Sequence, residues 1–327
     1  MDSVTRIGVF TSGGDAPGMN ACVRAVVRTA LSHDLEVMGI RRGYQGMIEG
    51  DIVEMDAKSV SNIVQKGGTI LKSARSDQFR TAEGRATAAR NLKEAGIGGL
   101  IAIGGDGSLR GAAIFYDEHQ VPLVGCPGTI DNDLFGTDET IGYDTAMNTA
   151  LDNIDKIRDT ADAHDRLFLV EVMGRDAGFI ALNCGIGGGA ELVLIPEMLS
   201  DLDEVKRQIR SQMSTQSRSA VVVVAEGDEL GGANSVAAAL RDDSSFDHVD
   251  LRVCILGHTQ RGGAPSARDR VLASRLGVAA VEAFMEGRYN VMVGIQDGDI
   301  RLTPSRNVWG RKKAINYELL KLIELLR

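Results

Sequence analysis

Three short segments of this chain put glycines and reactive side chains directly behind apolar runs. The third of them, PGTIDND from Pro127 to Asp133, sets two carboxylates either side of an amide. Moving a phosphoryl group onto an alcohol requires a carboxylate that takes or orients the hydroxyl proton, with metal and cations to neutralise the migrating charge. Asp131 is the candidate base for that chemistry, although the same residues would also make an acidic turn in which Asn132 and Asp133 only cap. The second segment, Gly104 to Ser108, joins two glycines to Asp106, a carboxylate able to hold Mg2+ directly or through water beside nucleotide phosphates. The first, SGGDAPG from Ser12 to Gly18, places glycines where a strand turns into a helix, so that backbone can approach a phosphate and the helix start offers N–H donors. Its spacing fits neither the dinucleotide GxGxxG pattern nor the GxxxxGK(S/T) phosphate loop.

Strands and helices must hold these loops in place. Ile7–Thr11 reads as a buried strand followed by a helix from Met19 to about Leu31, and Gly99–Ile103 as a strand followed by a helix from Ser108 to about Glu118. A third strand, Pro122–Gly125, runs into PGTIDND. The alternation implies an α/β protein with parallel strands, helical crossovers and three loops gathered at the carboxyl edge of one sheet. A helix near Tyr143 leads to further strands at Leu167–Val172, Glu191–Ile195, Ala220–Ala225 and Val253–Leu256. Leu272–Glu286 reads as a helix, and Asn290–Ile295 as a strand returning to the first sheet. In the tail, Ile315, Leu319, Leu322, Ile323 and Leu326 share one helical face, a stripe read as packing.

A chain of 327 residues, 43% hydrophobic and 25% charged, exceeds one compact domain and predicts two lobes. A net charge of -9 argues against broad nucleic-acid binding while leaving local phosphate sites open. No apolar run approaches the ~18 residues of a membrane span and the start lacks a signal-peptide pattern, so a soluble cytoplasmic protein without membrane association is expected. Cys22, Cys126, Cys184 and Cys254 are scattered without CxxC spacing and read as buried reduced thiols.

Taken together, TSGGDAPGMNA, IGGDGS, PGTIDND, VEVMGR and LGHTQRGG resemble the phosphofructokinases over nearly the whole chain and in that family's order. The resemblance implies two three-layer α/β/α domains with mainly parallel sheets: residues 1–142 plus about 260–305 for ATP, and about 143–259 plus 306–327 for fructose 6-phosphate. It implies transfer of the γ-phosphoryl group of Mg-ATP to the 1-hydroxyl of fructose 6-phosphate. Gly14, Arg75, Ser76, Gly105, Asp106, Gly107 and Ser108 would contact ATP, with Asp106 at the Mg2+. Thr129 and Asp131 would face the reactive hydroxyl, Asp131 as base, with Arg75 and Arg175 as the catalytic cations. Met173, Gly174, Arg175, Glu226, His258 and Arg261 would hold the sugar phosphate. Arg166 and Arg252 would reach its 6-phosphate from a neighbouring subunit of a homotetramer.

The side chains suit these roles. Arginine forks match phosphate oxygens, and Arg166, Arg252 and Arg261 all lie at strand or loop ends. Arg75 can stabilise charge on the transferring oxygens, and Glu226, ending VVVVAE, can accept sugar hydroxyls. His258 can donate to a phosphate or act as a hydrogen-bonded structural residue. Pyrophosphate-using relatives generally carry an aspartate after the metal-site Asp and a lysine before TIDND; here stand Gly107 and Gly128, which favours ATP. The family's effector site matches in part, through Arg24, Arg28, Arg158 and Glu191, while Ala57, Thr215 and Ser217 stand where basic residues are usual. The competing readings are a pyrophosphate-dependent enzyme, an NAD kinase, a noncatalytic nucleotide sensor and a dinucleotide oxidoreductase. Only the phosphofructokinase reading gives TIDND, MGR and GHTQRGG a common reason.

Overall fold

A computed structural model describes residues 4–199, 201–215 and 219–326. In chain order the elements are β1 (Arg6–Ser12), α1 (Met19–Ser32), β2 (Glu36–Ile40), α2 (Gly43–Glu49), β3 (Ile52–Met55), α3 (Ala82–Glu94), β4 (Gly99–Gly104), α4 (Asp106–His119) and β5 (Leu123–Pro127). Then come α5 (Tyr143–Asp162), β6 (Arg166–Val172), α6 (Phe179–Gly187), β7 (Leu192–Leu194), α7 (Leu202–Thr215), β8 (Ala220–Ala225), α8 (Gly232–Arg241) and β9 (Asp250–Ile255). The chain ends with α9 (Ala267–Met285), β10 (Val291–Gln296), β11 (Asp299–Pro304), α10 (Ser305–Gly310) and α11 (Tyr317–Leu326). These elements form two compact units, one of residues up to Thr145 with Arg261–Lys313, the other of Ala146–Gln260 with the residues from Ala314 onward.

The first unit is built on a seven-stranded sheet in the order β11-β10-β5-β4-β1-β2-β3. Its five central strands are parallel, as an α/β alternation requires, whereas β3 and β11 close the two edges antiparallel, β3 after the short helix α2 and β11 after a tight turn from β10. Strand residues alternate between two helical layers. Phe10, Ile40, Leu100 and Ala102 pack with Tyr44, Met47, Phe79, Leu92 and Phe115 from the α2, α3 and α4 side. On the other face α1 and α9 pack on each other so closely that a Cβ on Gly277 would stand 2.7 Å from the Ala25 Cβ. Side chains such as Ile101 and Ile103 are fully buried, which at about 1.5–3 kcal/mol each makes the sheet a rigid base for its loops.

The second unit has a four-stranded, all-parallel sheet, β7-β8-β6-β9. Val221, Val222, Val223 and Val224 are all inaccessible, the continuous apolar run expected of a strand covered on both faces. Val205 and Ile209 of α7 and Val236 and Leu240 of α8 fill one face. In the tail, the stripe is only partly packing: Ile315 precedes α11, Ile323 is buried, and Leu326 is exposed because it lies past the last turn that meets the protein. Among the described residues no helix is long and apolar enough to cross a membrane. All four cysteines are free, and Cys254 is half-buried rather than buried because it stands on the edge strand β9.

Candidate active site

Register brings the three glycine segments to one line. Ser12 of β1 pairs with Gly104 of β4, and Gly104 with Pro127 of β5, so the three loops leave neighbouring strands at the same level. The chain continues from β1 to β2 on one side of β1, whereas β4 lies on the other, and loops diverge at such a reversal to leave a crevice. Helices α1 and α4 begin here with Gly18 and Gly105 at their N-caps and no side-chain cap, although α3 and α9 are capped by Thr81 and Ser266. Asp106 is the first residue of α4, two positions before the helix start expected at Ser108, and a carboxylate in a first turn is favoured by the helix dipole.

The loops approach one another closely at Gly14 and Gly105. A Cβ on Gly14 would lie 2.7 Å from Arg261 Nη1, so a side chain there would push that guanidinium off the first loop. Arg261 Nη1 donates to the Asp15 carbonyl at 3.2 Å, and its Nη2 stands 3.9 Å from Asp131 Oδ1. Asp131 and Arg261 are both mostly buried, with side chains 10% and 17% exposed, which strengthens their attraction over that of a surface pair. Gly105 abuts Thr129, whose Cβ would be 3.2 Å from a Cβ there, and the Thr129 hydroxyl accepts from Asp131 N at 3.2 Å. Sequence-predicted Gly14, Gly105, Thr129, Asp131 and Arg261 therefore share one neighbourhood of the first unit.

The loop carrying Asp131 is held by residues that composition does not reveal. Asn132 takes a left-handed backbone, φ 54°, and its carboxamide accepts from Thr140 N and donates to the Asp138 carbonyl. It is a strut of the loop, not merely a cap. Thr140 donates to the Thr129 carbonyl at 2.6 Å. The far end is clamped by Asp269 of α9, which accepts from Gly142 N and Thr145 N at 2.8 Å and from the Thr145 hydroxyl at 2.5 Å. Burial pushes the Asp269 carboxyl above the usual carboxylate range, against the pull of these donors. Lys313 donates to the Asp138 carbonyl at 2.7 Å, and burial lowers its ammonium to about 8 although Asp138, Glu139 and Asp133 oppose the shift. Tyr44, stacked on Phe79, donates to the Ser108 carbonyl at 2.5 Å and pins the start of α4.

Of the remaining nucleotide-side candidates, Ser108 is buried and Ser76 donates to Gln45 at 2.8 Å, while Arg75 is exposed. Gly107 and Gly128 differ in their surroundings. A Cβ on Gly107 meets nothing within 4 Å, whereas one on Gly128 would stand 2.9 Å from Ile103 Cγ2 and 3.1 Å from Met19 Cε. Among the described residues no group of three or more His, Cys, Asp or Glu gathers as a metal centre. A carboxylate such as Asp106 at the start of α4 fits a Mg2+ that keeps waters and takes its other ligands from phosphates.

In the second unit, Glu226 accepts from Arg175 N at 2.7 Å and Gly174 N at 3.3 Å, so its carboxylate first organises the MGR turn, where Arg175 has φ 55°. Met173 is buried, while Arg175 and His258 are exposed. Arg166 and Arg252 converge on Asp250, Arg166 Nε at 2.7 Å and Arg252 Nε at 2.9 Å, and the first of these bonds holds that carboxyl below its usual range. Two guanidinium groups on one carboxylate leave a surplus positive charge. Among the candidate effector residues, Arg158 is engaged by Glu191 and the carbonyls of Gly188 and Gly189. Arg24 is half-buried and Arg28 exposed, four apart on α1, and Ala57 lies exposed in the loop after β3. Ser217 and the side chain of Thr215 lie outside the described residues.

Glycine loops and open helix starts at one end of a doubly wound sheet define an α/β protein suited to holding phosphate groups. The Phosphofructokinase family profile matches residues 6–284, and the chain belongs to that family. It is 56% identical over 321 residues to a protein of Cytophaga hutchinsonii named ATP-dependent 6-phosphofructokinase, covering 98% of this chain and 97% of the relative. Identity is also 56% to ATP-dependent 6-phosphofructokinase 1 of Thermus thermophilus, covering 98% and 99%. Among solved structures, phosphofructokinase from Saccharomyces cerevisiae superimposes with a TM-score of 0.84 at 37% identity, over 98% of this chain and 46% of the yeast one, so the chain spans less than half of that relative. A pyrophosphate-dependent phosphofructokinase from Marinobacter aquaeolei, 22% identical with a TM-score of 0.83 over 99% of this chain and 91% of its own, shares the fold.

Proposed function

We propose that this chain is an ATP-dependent 6-phosphofructokinase, moving the γ-phosphoryl group of ATP to the 1-hydroxyl of fructose 6-phosphate. The observation that carries the reading is the single row Ser12, Gly104, Pro127, from which three phosphate-type loops leave together, with Asp131 and Arg261 3.9 Å apart among them. Family membership and the two ATP-named relatives at 56% identity support ATP as donor. So does Gly107, where open space is left for a nucleotide.

Gly14, Ser76, Gly105, Gly107 and Ser108 hold the nucleotide, and the uncapped starts of α1 and α4 offer N–H groups to its phosphates. Asp106 holds Mg2+, which when bound supplies positive charge at the phosphate oxygens. Asp131 takes the hydroxyl proton, Thr129 fixes its loop, and Arg75 and Arg261 place cations where charge accumulates. The Arg261 guanidinium, 3.9 Å from Asp131 Oδ1, places a positive charge beside the carboxylate that takes the proton. From the second unit, Met173, Gly174, Arg175, Glu226 and His258 serve the sugar phosphate. Arg166 and Arg252 serve the 6-phosphate of a neighbouring subunit's substrate, which makes a homo-oligomer part of the working enzyme, with the cytoplasm as its place of work. A coupled assay offered ATP or pyrophosphate tests the reading. Fructose 1,6-bisphosphate formed with ATP supports it, and turnover with pyrophosphate alone overturns the choice of donor.

A further inference from the structure

Between β3 and α3 runs a segment without regular structure, residues 66–73, which leads directly into Arg75. Irregular backbone near a core must find hydrogen-bond partners outside itself. Here they come from β1, α1 and the start of α2. Asn20, 1% exposed on the first turn of α1, donates through Nδ2 to the carbonyls of Lys66 at 3.0 Å and Gly67 at 3.1 Å, and accepts from Ile70 N at 2.7 Å. Both of its N–H donors and its carbonyl oxygen are engaged by backbone groups of this segment. Thr11 adds a bond to the Lys72 carbonyl at 2.8 Å and one to Thr69 Oγ1 at 2.9 Å. Arg42 N donates to the Leu71 carbonyl at 2.8 Å, and Ser73 Oγ donates to the Gly13 carbonyl. The same segment presses on the loop that carries Arg261, because a Cβ on Gly67 would lie 2.2 Å from the Gly263 carbonyl oxygen.

We propose that Asn20 is a positioning residue which, by stapling residues 66–73 to α1, sets where both Arg75 and Arg261 stand. The staple reaches Arg75 along the chain, through Lys72 and Ser73, and reaches Arg261 across space, through the Gly67–Gly263 contact. A misplacement of either arginine by about 1 Å is enough to cost up to roughly a hundredfold in turnover. This inference rests on the phosphotransfer reading for its kinetic consequence, and on hydrogen bonding alone for its structural one.

Two measurements on the full-length protein test it. In Asn20→Ala, hydrogen–deuterium exchange of peptides covering 66–78 should rise at least tenfold while β6 and β8 of the second unit stay unchanged; unchanged exchange across 66–78 overturns the staple. In steady-state kinetics with ATP and fructose 6-phosphate, Asn20→Ala should lower kcat about tenfold or more with little change in KM. In an Arg75→Ala background the same substitution should lose much of that effect, because its target is gone. An equal loss in both backgrounds overturns the route to Arg75, and an equal loss joined to parent-like turnover in Gly67→Ala overturns positioning and leaves Asn20 a purely structural residue. Gly67→Ala, which leaves Asn20 intact, should lower kcat through the Arg261 loop, and parent-like turnover in that variant counts against the second route. Exchange needs no turnover, so a parent inactive toward ATP and fructose 6-phosphate removes the functional reading while the exchange result still decides the staple.

Discussion

Removing the Asp269 side chain should weaken the first unit more than any other single truncation in the scaffold of the Asp131 loop. The carboxylate is inaccessible and receives three donors, Gly142 N, Thr145 N and the Thr145 hydroxyl. Asp269→Ala orphans the two backbone donors in a buried place, at about 1–3 kcal/mol each, and creates a small void. Relief of a desolvated charge offsets part of this, so a net loss of about 3–5 kcal/mol is expected. The chain's single tryptophan, Trp309, belongs to the first unit and lies under the Arg110 guanidinium at 5.3 Å, so its fluorescence reports on that unit. With a urea dependence of about 2–3 kcal/mol per molar, the midpoint should fall by roughly 1–2 M. The pH dependence has a definite sign. Burial raises the folded-state value above the unfolded one of about 3.9, so the contribution of Asp269 is fully present below pH ~4 and is lost as pH rises through the raised value. Asp269→Asn should therefore lack that slope. A midpoint shift below about 0.3 M for the alanine variant would refute the clamp.

Two further substitutions separate packing from ligand chemistry. A Cβ at Gly107 meets no atom within 4 Å, so the Tm of Gly107→Asp should stay within about 2 °C of the parent while the KM for ATP rises at least tenfold by charge repulsion; an unchanged KM would remove the basis for the choice of donor. Lys313→Met tests the buried ammonium. Because its folded value of about 8 lies below the unfolded ~10.4, the parent gains stability as pH rises between those values, and the variant should lose that gain in urea titrations at pH 7.5 and 10.

Much of this site was legible because its parts are local in sequence. Strand, glycine turn and helix follow one another within each of the SGGDAPG and GGDGS segments, and apolar periodicity located β1, β4, β5, β6 and β8 within a residue or two. The edge strands β3 and β11 and the neighbouring β2 escaped because they are partly exposed, so no continuous apolar run marks them. Asp269 and Asn20 escaped for a related reason. One lies inside a helix 124 and 127 residues from the groups it holds, and the other reaches 46 to 50 residues ahead. Asn20 stands within the motif TSGGDAPGMNA, but a side chain's backbone partners cannot be read from a motif. Glu226 shows the opposite limit: its type suggested sugar hydroxyls, while the structure gives its carboxylate two backbone N–H groups to hold.

Asp131 is the group that accepts the hydroxyl proton in the proposed reaction, so Asp131→Asn, which keeps the side chain's size, is the decisive variant. Rapid-quench single-turnover measurement with Mg-ATP and saturating fructose 6-phosphate should show phosphoryl transfer slowed by about 10²–10⁴ with nucleotide affinity little changed. Transfer at the parent rate would contradict the assignment.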